Sequence, residues 1–370
     1  MAGKRLRVSI ISRESNERTL DVAMLEAELL KRGIDVRVLC RLLTKDRGLK
    51  SLGYAGHALR QEAAILGSDV VVLDTYCIPA SMLPHRSGTK VLQIWHASSA
   101  IKKFGWQTVG REGGSSERTA RLMRMHRGYD FVMSPSDITA AHFCEAFDVS
   151  PDRIVKGGLP RIDYIKSVAA GERRADMLKK IYARYPQLAA GRGGDDARKT
   201  VLYAPTFRRG SAVDVKTLTD AIDKSRYDVV VKLHPLYRSD SANGDGQDGG
   251  VIFDEEFTSF DWLSAADIII SDYSSLVVEA ALADRPLFIY AYDLDDYEVN
   301  TGLNIDFTKE PIAPYVFRDA KQLAAAMDEE YDIGALRRFR DRYLDVDCEG
   351  KSCTEQLADL IESLGNGTDG

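Results

Sequence analysis

A chain of 370 residues exceeds one ordinary domain and suffices for two, each with a sizeable core. An apolar share of 44% and a charged share of 29% exclude a disordered or fibrous chain. The net charge of −6 leaves no basic surplus for coating nucleic acid, so no nucleic-acid partner is expected.

The first apolar stretch is too short for a signal-peptide core, and no window approaches the roughly 20 apolar residues that a membrane span needs. The expectation is a cytoplasmic chain that touches a membrane only peripherally. Cys40, Cys77, Cys144, Cys348 and Cys353 are scattered and lack paired Cys-x-x-Cys units, which predicts reduced structural thiols.

Residues 6–12 form a β-branched run, 19–32 have helical spacing closed by Gly33, and 35–39 alternate as a strand, giving a β-α-β unit. Further strands are predicted over 70–73, 91–95 and 131–134, with helices over 55–66 and 138–147. A charged helix over 172–185 and a Gly-rich polar linker over 189–199 follow, and then the pattern restarts. Strands over 200–204, 227–233, 251–253, 267–270 and 287–290, with helices over 215–224 and 276–283, predict a second parallel sheet. The Gly/Asp-rich segment 240–250 reads as a surface loop. The fold class is therefore α/β, with two facing Rossmann-like domains, 1–168 and 169–370, around a central cleft. Ligands of such sheets sit beyond the carboxyl ends of the strands, so residues there carry the functional weight.

At one such end stands Gln93-Ile94-Trp95-His96-Ala97-Ser98-Ser99, whose His96 titrates near neutrality and could take a proton from an attacking hydroxyl. Val231-Lys232-Leu233-His234-Pro235 repeats the arrangement in the second half. A strand-end histidine can equally be structural. His57, His85, His126 and His142 are assigned surface or capping roles. In Ser271-Asp272-Tyr273-Ser274-Ser275 a strand leads through a hydroxyl-rich turn to a helix start, which suits an anion or, equally, plain N-capping by serine. Asp272 could orient a donor and Glu279 could accept from ribose hydroxyls. Thr206 and Arg208, in Tyr203-Ala204-Pro205-Thr206-Phe207-Arg208, offer a hydroxyl and a guanidinium fork matched to a diphosphate, or else a solvated loop. Neither a P-loop nor a dinucleotide fingerprint is present. Residues 101–127 carry Lys102, Lys103, Arg111, Arg118, Arg121, Arg124 and Arg127 against Glu112 and Glu117. Arginine at every third position from Arg118 to Arg127 predicts a basic helix for an anionic membrane surface or a lipid pyrophosphate, or a solvated face.

Taken in order, Trp95-His96-Ala97, Gly158-Leu159-Pro160-Arg161-Ile162-Asp163, Leu202-Tyr203-Ala204-Pro205-Thr206-Phe207-Arg208, Lys232-Leu233-His234-Pro235 and Ser271-Asp272-Tyr273-Ser274-Ser275 form a series, joined by the segment from Arg285 to Tyr297. The series, within residues 91–316, resembles the CDP-glycerol glycerophosphotransferases of teichoic acid synthesis. The resemblance implies a GT-B-like fold, with 1–168 facing acceptor and membrane and 169–370 binding the CDP-alcohol. It implies transfer of glycerol phosphate from CDP-glycerol to a hydroxyl of a lipid-linked acceptor, of undecaprenyl-diphosphate disaccharide type, at the inner membrane face with release of CMP. His96 and His234 match the family's essential histidines, one as general base and the other as hydrogen-bond donor to the transferring group, in either order. Arg208 and the Ser274–Ser275 turn would stabilise charge. The pattern fixes no cofactor and leaves metal need open: Mg²⁺ is a candidate helper, although no clustered carboxylate site is evident, and the acidic run from Asp293 to Glu298 reads as a solvated loop in preference to a metal site. Trp95-His96-Ala97-Ser98-Ser99 departs from the Trp-His-Gly-Thr-Pro common in polymerases and is closer to the primase branch. Thr301-Gly302 stands where an Arg-Gly is frequent. Competing readings are a CDP-ribitol phosphotransferase, a nucleotide-sugar glycosyltransferase and a non-catalytic nucleotide- or lipid-surface-binding protein.

Overall fold

The computed structural model describes residues 5–43, 49–111, 114–191, 197–208, 213–233, 247–248, 250–347 and 350–367. His234 and the Cys348 thiol lie outside the described residues.

The chain divides into two units, Met1–Asp163 with Tyr343–Gly370, and Tyr164–Arg342. The first is built on β1 (Arg7–Ser12), β2 (Asp35–Cys40), β3 (Val70–Leu73), β4 (Lys90–Gln93), β5 (Phe131–Ser134) and β6 (Ile154–Lys156). These six form a parallel sheet in the order β2-β1-β3-β4-β5-β6. Successive side chains of a strand point to opposite faces. Accordingly Val70 and Val72 enter a core with Val22, Leu25 and Leu29 of the helix Leu20–Lys31, while Val71 and Leu73 join Phe143 and Phe147 on the other side. Gly33, at φ 78°, takes the left-handed conformation that ends that helix and is open to glycine without strain.

The boundary expected at residue 168 falls at Asp163, and the last segment returns to the first unit. The reason is the helix Cys353–Asn366, whose Leu357, Ala358, Ile361 and Leu364 complete the core against Val22 and Leu25. Asp163 anchors its start by accepting from the N–H groups of Cys353 and Thr354 at 2.9 and 2.8 Å. Gly158 lies so close to the Cys353 sulfur that a Cβ there would meet it at 2.8 Å. The Gly158-to-Asp163 motif is thus the clasp for the returning helix. Cys40, Cys77 and Cys144 are free thiols, as expected, whereas Cys353 is disulfide-bonded, contrary to expectation.

The second unit holds β7 (Lys199–Tyr203), β8 (Tyr227–Val231), β9 (Gln247–Asp248), β10 (Val251–Phe253), β11 (Ile268–Ser271), β12 (Leu287–Tyr290) and β13 (Val316–Phe317). The order is β13-β12-β11-β7-β8-β10-β9, parallel throughout except for the short β9. β9 replaces part of the loop expected over 240–250.

In both sheets the order reverses beside the first strand, at β1/β3 in one unit and at β7/β11 in the other. Crossovers there leave in opposite directions, and a crevice opens outside the strand ends.

The basic segment departs from expectation. Its helix covers only Glu117–Leu122, and Arg124 and His126 follow at φ 46° and 60°. The helix gives way because His126 is buried, bonded to the Tyr129 hydroxyl at 2.9 Å and packed on Phe147 with ring centroids 4.8 Å apart. His126 and His57 are therefore interior residues, not the surface groups expected.

Candidate active site

At the carboxyl edge of the first sheet the chain leaves β4 through Trp95 in the left-handed region at φ 60°, a strained choice for a bulky residue. Packing holds it there. The indole stacks on Phe104 at 4.5 Å and meets Phe147 edge-on at 5.2 Å, and the Trp95 main-chain N–H donates to Gln93 Oε1 at 2.9 Å. Gln93 in turn donates to the Thr75 carbonyl at 3.2 Å. This turn delivers His96, whose side chain remains 33% exposed.

The His96 Nδ1 lies 3.1 Å from the main-chain oxygen of Asp74, just past β3. A carbonyl only accepts, so Nδ1 carries the proton of the neutral ring and Nε2 holds the lone pair. Burial lowers the His96 pKa below its ordinary value, against the opposing pull of Glu14 and the Asp74 carbonyl, with Arg161 and Arg13 adding to the lowering. The ring is neutral at pH 7 and able to accept a proton.

Asp74 was not anticipated from sequence. Its side chain is 2% exposed, and neither carboxylate oxygen has a hydrogen-bond partner. Burial pushes its pKa up to about 7, although the hydroxyls of Ser12 and Thr75 lie near enough to oppose the rise. The signal was legible: an acidic residue directly follows the wholly apolar run Val70-Val71-Val72-Leu73 at a strand end.

At the β7/β11 reversal the second unit gathers Thr206, Arg208, Asp272, Ser274 and Ser275. Asp272, fully buried, accepts from the Thr206 N–H at 2.9 Å and the Thr206 hydroxyl at 2.6 Å, and pairs with Arg208 Nη1 at 2.9 Å. Arg208 Nε and Nη2 grip Asp293 at 2.6 and 3.1 Å, and Nη1 also donates to the Thr206 carbonyl at 3.1 Å. The guanidinium lies 5.1 and 4.8 Å from the ring centres of Tyr273 and Tyr297. Burial works against the charge of Arg208, but the hydrogen bond to Asp293 and the charges of Asp272 and Asp293 outweigh it and raise its pKa. The fork expected to hold a diphosphate is thus committed inside the protein, where it ties the β7 and β12 exits together. Asp272 holds the Thr206 N–H and hydroxyl and Arg208 Nη1 as its donors.

Ser274 and Ser275 remain half-buried at the turn. The capping alternative is met only in part: Ser274 Oγ accepts from the Leu276 N–H at 3.2 Å, and Ser275 makes no side-chain capping bond. Glu279, considered for ribose, is 1% exposed within the helix Leu276–Ala280. The acidic run is not simply solvated, since Asp293 holds Arg208, Asp295 pairs with Arg318 at 2.7 Å and Glu298 accepts from the Leu303 N–H at 2.8 Å. Among the described residues no three His, Cys, Asp or Glu side chains gather to hold a metal ion.

Lys232, at the end of β8, is a further structural residue that the sequence reading passed over. Its ammonium donates to Asp254 Oδ2 at 2.9 Å and to the Asp254 carbonyl at 3.0 Å. Asp254 also accepts from the Tyr185 hydroxyl at 2.8 Å and from Trp262 Nε1 at 2.9 Å. The strand exit that leads toward His234 is fixed by this buried pair.

A family model for CDP-glycerol:poly(glycerophosphate) glycerophosphotransferase matches residues 15–363. The chain belongs to that family. A teichoic acid ribitol-phosphate primase of Bacillus spizizenii is 30% identical over 350 residues, 91% of this chain and 86% of the relative. A teichoic acid glycerol-phosphate primase of Bacillus subtilis is 27% identical over 314 residues, 83% and 77% of the two. The solved structure of the wall teichoic acid polymerase TagF matches with a TM-score of 0.69 at 17% identity, covering 98% of this chain and 90% of that one. The chain has the GT-B-like fold expected of this family, and its likeness to primases agrees with Trp95-His96-Ala97-Ser98-Ser99.

In the first unit, Arg121, Arg124 and Arg127 meet around a cavity of about 330 Å³ with Trp106 and Asp148. Arg121 stands 5.9 Å over the Trp106 ring, which is held by an Nε1 bond to the Met125 carbonyl at 3.1 Å. The turn at Arg124, not a helical stripe, brings the three together. Lys102, Lys103 and Arg118 do not line this cavity. Leu122, beside it, is 71% exposed. Among the described residues no helix is long and apolar enough to cross a membrane.

Proposed function

We propose that the protein transfers an alcohol phosphate, glycerol phosphate in the first instance, from its CDP-activated form to a hydroxyl of a lipid-linked acceptor. The observation that carries this reading is His96, a neutral imidazole with its Nδ1–H fixed on the Asp74 carbonyl and its Nε2 lone pair unspent. The acceptor oxygen attacks the phosphorus that bears the alcohol, its proton passes to His96 Nε2, and the bond to CMP breaks. A base of this kind contributes about 10²- to 10⁴-fold to the rate. Ser274 and Ser275 donate hydroxyls to phosphate oxygens, while Arg208, Thr206 and Asp272 hold the turn that carries them. By family resemblance His234 donates to the transferring group, and the two histidines can exchange roles. The small-residue sequence after His96 and the two primase relatives support addition of a single unit or a short chain. CDP-ribitol is the second reading, favoured by the 30% identity to a ribitol-phosphate primase.

The test incubates pure protein with CDP-glycerol, CDP-ribitol and nucleotide sugars over a lipid-linked disaccharide and identifies the released nucleotide. CMP release from a CDP-alcohol, lost in His96→Ala, is the expected result. UDP from a nucleotide sugar with no CMP from any CDP-alcohol would overturn it, and so would activity that survives both His96→Ala and His234→Ala. Mg²⁺ dependence is read in the same assay with and without chelator.

Peripheral contact with the anionic inner face of the membrane is part of the proposal, supported by Trp106, exposed Leu122 and the converging Arg121, Arg124 and Arg127, with Lys102, Lys103 and Arg118 nearby in sequence. Co-sedimentation with anionic vesicles should weaken with salt and with the double change Arg121→Glu, Arg124→Glu. Unaltered sedimentation of that variant would rule this surface out.

A further inference from the structure

The reversal of strand order at β1/β3 brings two acidic residues beside His96: Asp74 from the β3 exit and Glu14 from the β1 exit. The β1 exit is pinned. The Arg13 N–H donates to Thr75 Oγ1 at 3.2 Å and the Glu14 N–H to Ser12 Oγ at 3.3 Å. From this support Glu14 Oε1 reaches to 3.8 Å from His96 Nδ1, beyond hydrogen-bond length for a neutral ring but within ion-pair range of a charged one.

The charged groups that face the ring are Glu14 and Arg13 from the β1 exit, Asp74 from the β3 exit, and Arg161 from the start of the helix Arg161–Ala169. Arg161 is engaged with buried Asp21, its Nε at 2.8 Å from Oδ2. Asp74 offers the ring its main-chain oxygen and keeps its carboxyl in the interior. Glu14, with 41% of its side chain exposed, is the carboxylate whose oxygen stands 3.8 Å from Nδ1.

We propose that Glu14 is a positioning residue for His96, supplying the counter-charge to the imidazolium formed when Nε2 takes the proton of the attacking hydroxyl. This rests on the reading of His96 as a proton acceptor. No proton moves to Glu14: Nδ1 keeps its hydrogen, and the charge created on the ring is shared with the carboxylate a few tenths of an ångström nearer. The Asp74 carbonyl sets the tautomer and Glu14 stabilises the charged form, a division between two residues of the work that one aspartate performs in a Ser-His-Asp triad.

The experiment compares parent, Glu14→Gln and Glu14→Asp as full-length proteins, with two readouts. In the first, the His96 ring is followed by NMR in histidine-labelled protein, assigned through His96→Gln. Its titration midpoint should fall by about 0.7 pH unit in Glu14→Gln, the effect of one charge at about 4 Å in water, and recover in Glu14→Asp. In the second, kcat for CMP release should drop about fivefold in Glu14→Gln, the rate equivalent of that shift, with KM for the CDP-alcohol unchanged. An unmoved midpoint overturns the proposal, even where kcat falls, because a merely structural role would lower activity without touching the titration. A moved midpoint with parental kcat also overturns it. If the parent turns over no CDP-alcohol, a shifted midpoint preserves the Glu14–His96 pairing and only the reaction assigned to it is lost.

Discussion

Replacing Asp74 by asparagine should stabilise the protein, and by an amount that depends on pH. The carboxyl is buried with neither oxygen bonded, and its pKa stands at about 7 because burial disfavours the charged form. In the unfolded chain an aspartate titrates near 3.9, so the folded state binds the proton that the unfolded state has released throughout the interval between. The native state is thus at no disadvantage below about pH 4, loses stability progressively as pH rises toward 7, and stays at the full penalty above it. At about 1.4 kcal/mol per pH unit, the mismatch is ~1.5 kcal/mol at pH 5 and ~4 kcal/mol at pH 8. Asparagine has the same shape and no charge to lose. Its unpaired amide costs about as much as the unpaired neutral acid, so those terms cancel. Urea unfolding of Asp74→Asn and parent at pH 5 and pH 8 should therefore show a gap that widens by about 3 kcal/mol in favour of the variant. A gap that is constant with pH, or that favours the parent at pH 8, would refute the assignment of a buried, unpartnered carboxyl.

Three further outcomes follow from the same geometry. His96→Gln should lower CMP release at least 100-fold, the low end for loss of a base; because burial depresses the His96 pKa, the acid limb of the parental kcat/KM should be centred below the ordinary imidazole value of about 6.5, and a limb centred above it would contradict this. Arg208→Lys should destabilise the fold by about 3–5 kcal/mol in urea unfolding, since a lysine cannot serve Asp293 and Asp272 together; a raised KM with unchanged stability would instead mark Arg208 as a phosphate ligand. Lys232→Met should cost a similar 3–5 kcal/mol by leaving the Asp254 charge buried without its cation, and a variant as stable as the parent would show that the pair does not hold the β8 exit.

The alternation of apolar residues made most strands legible. Val70-Val71-Val72-Leu73, apolar at every position, announced a strand buried on both faces, and its four residues do fill two separate cores. What escaped was either too short or too distant. β6 and β13 run over three and two residues, too few for an alternation to repeat. The return of Cys353–Asn366 to the first unit depends on Asp163, far away in sequence, and local spacing carries no record of it. The basic segment misled because its arginine spacing is helical, while its backbone obeys buried His126 and the left-handed turn at Arg124. No glycine or asparagine marks that turn.

For the site, sequence located the strand ends but could not assign the donors. Thr206, Arg208 and Asp272 stand where they were expected, and all three bind one another. Arginine chemistry explains both the expectation and the outcome: a guanidinium fork matches a carboxylate as well as it matches a phosphate. Only the fold shows that a carboxylate, Asp293, stands 2.6 Å from the Arg208 guanidinium. The same accounting separates the first-unit residues. Gln93, Thr75 and the Asp74 carbonyl have their bonds filled by the turn itself, which leaves His96 Nε2 as the atom with capacity to spare. A motif residue whose hydrogen bonds are complete within the protein acts by holding, and one whose lone pair is unspent can act on a substrate. By that measure Arg208, Asp272 and Lys232 are the holding residues of the second unit, where Ser274 and Ser275 stay half-buried at their turn, and His96 is the residue of the first unit with a nitrogen left to act.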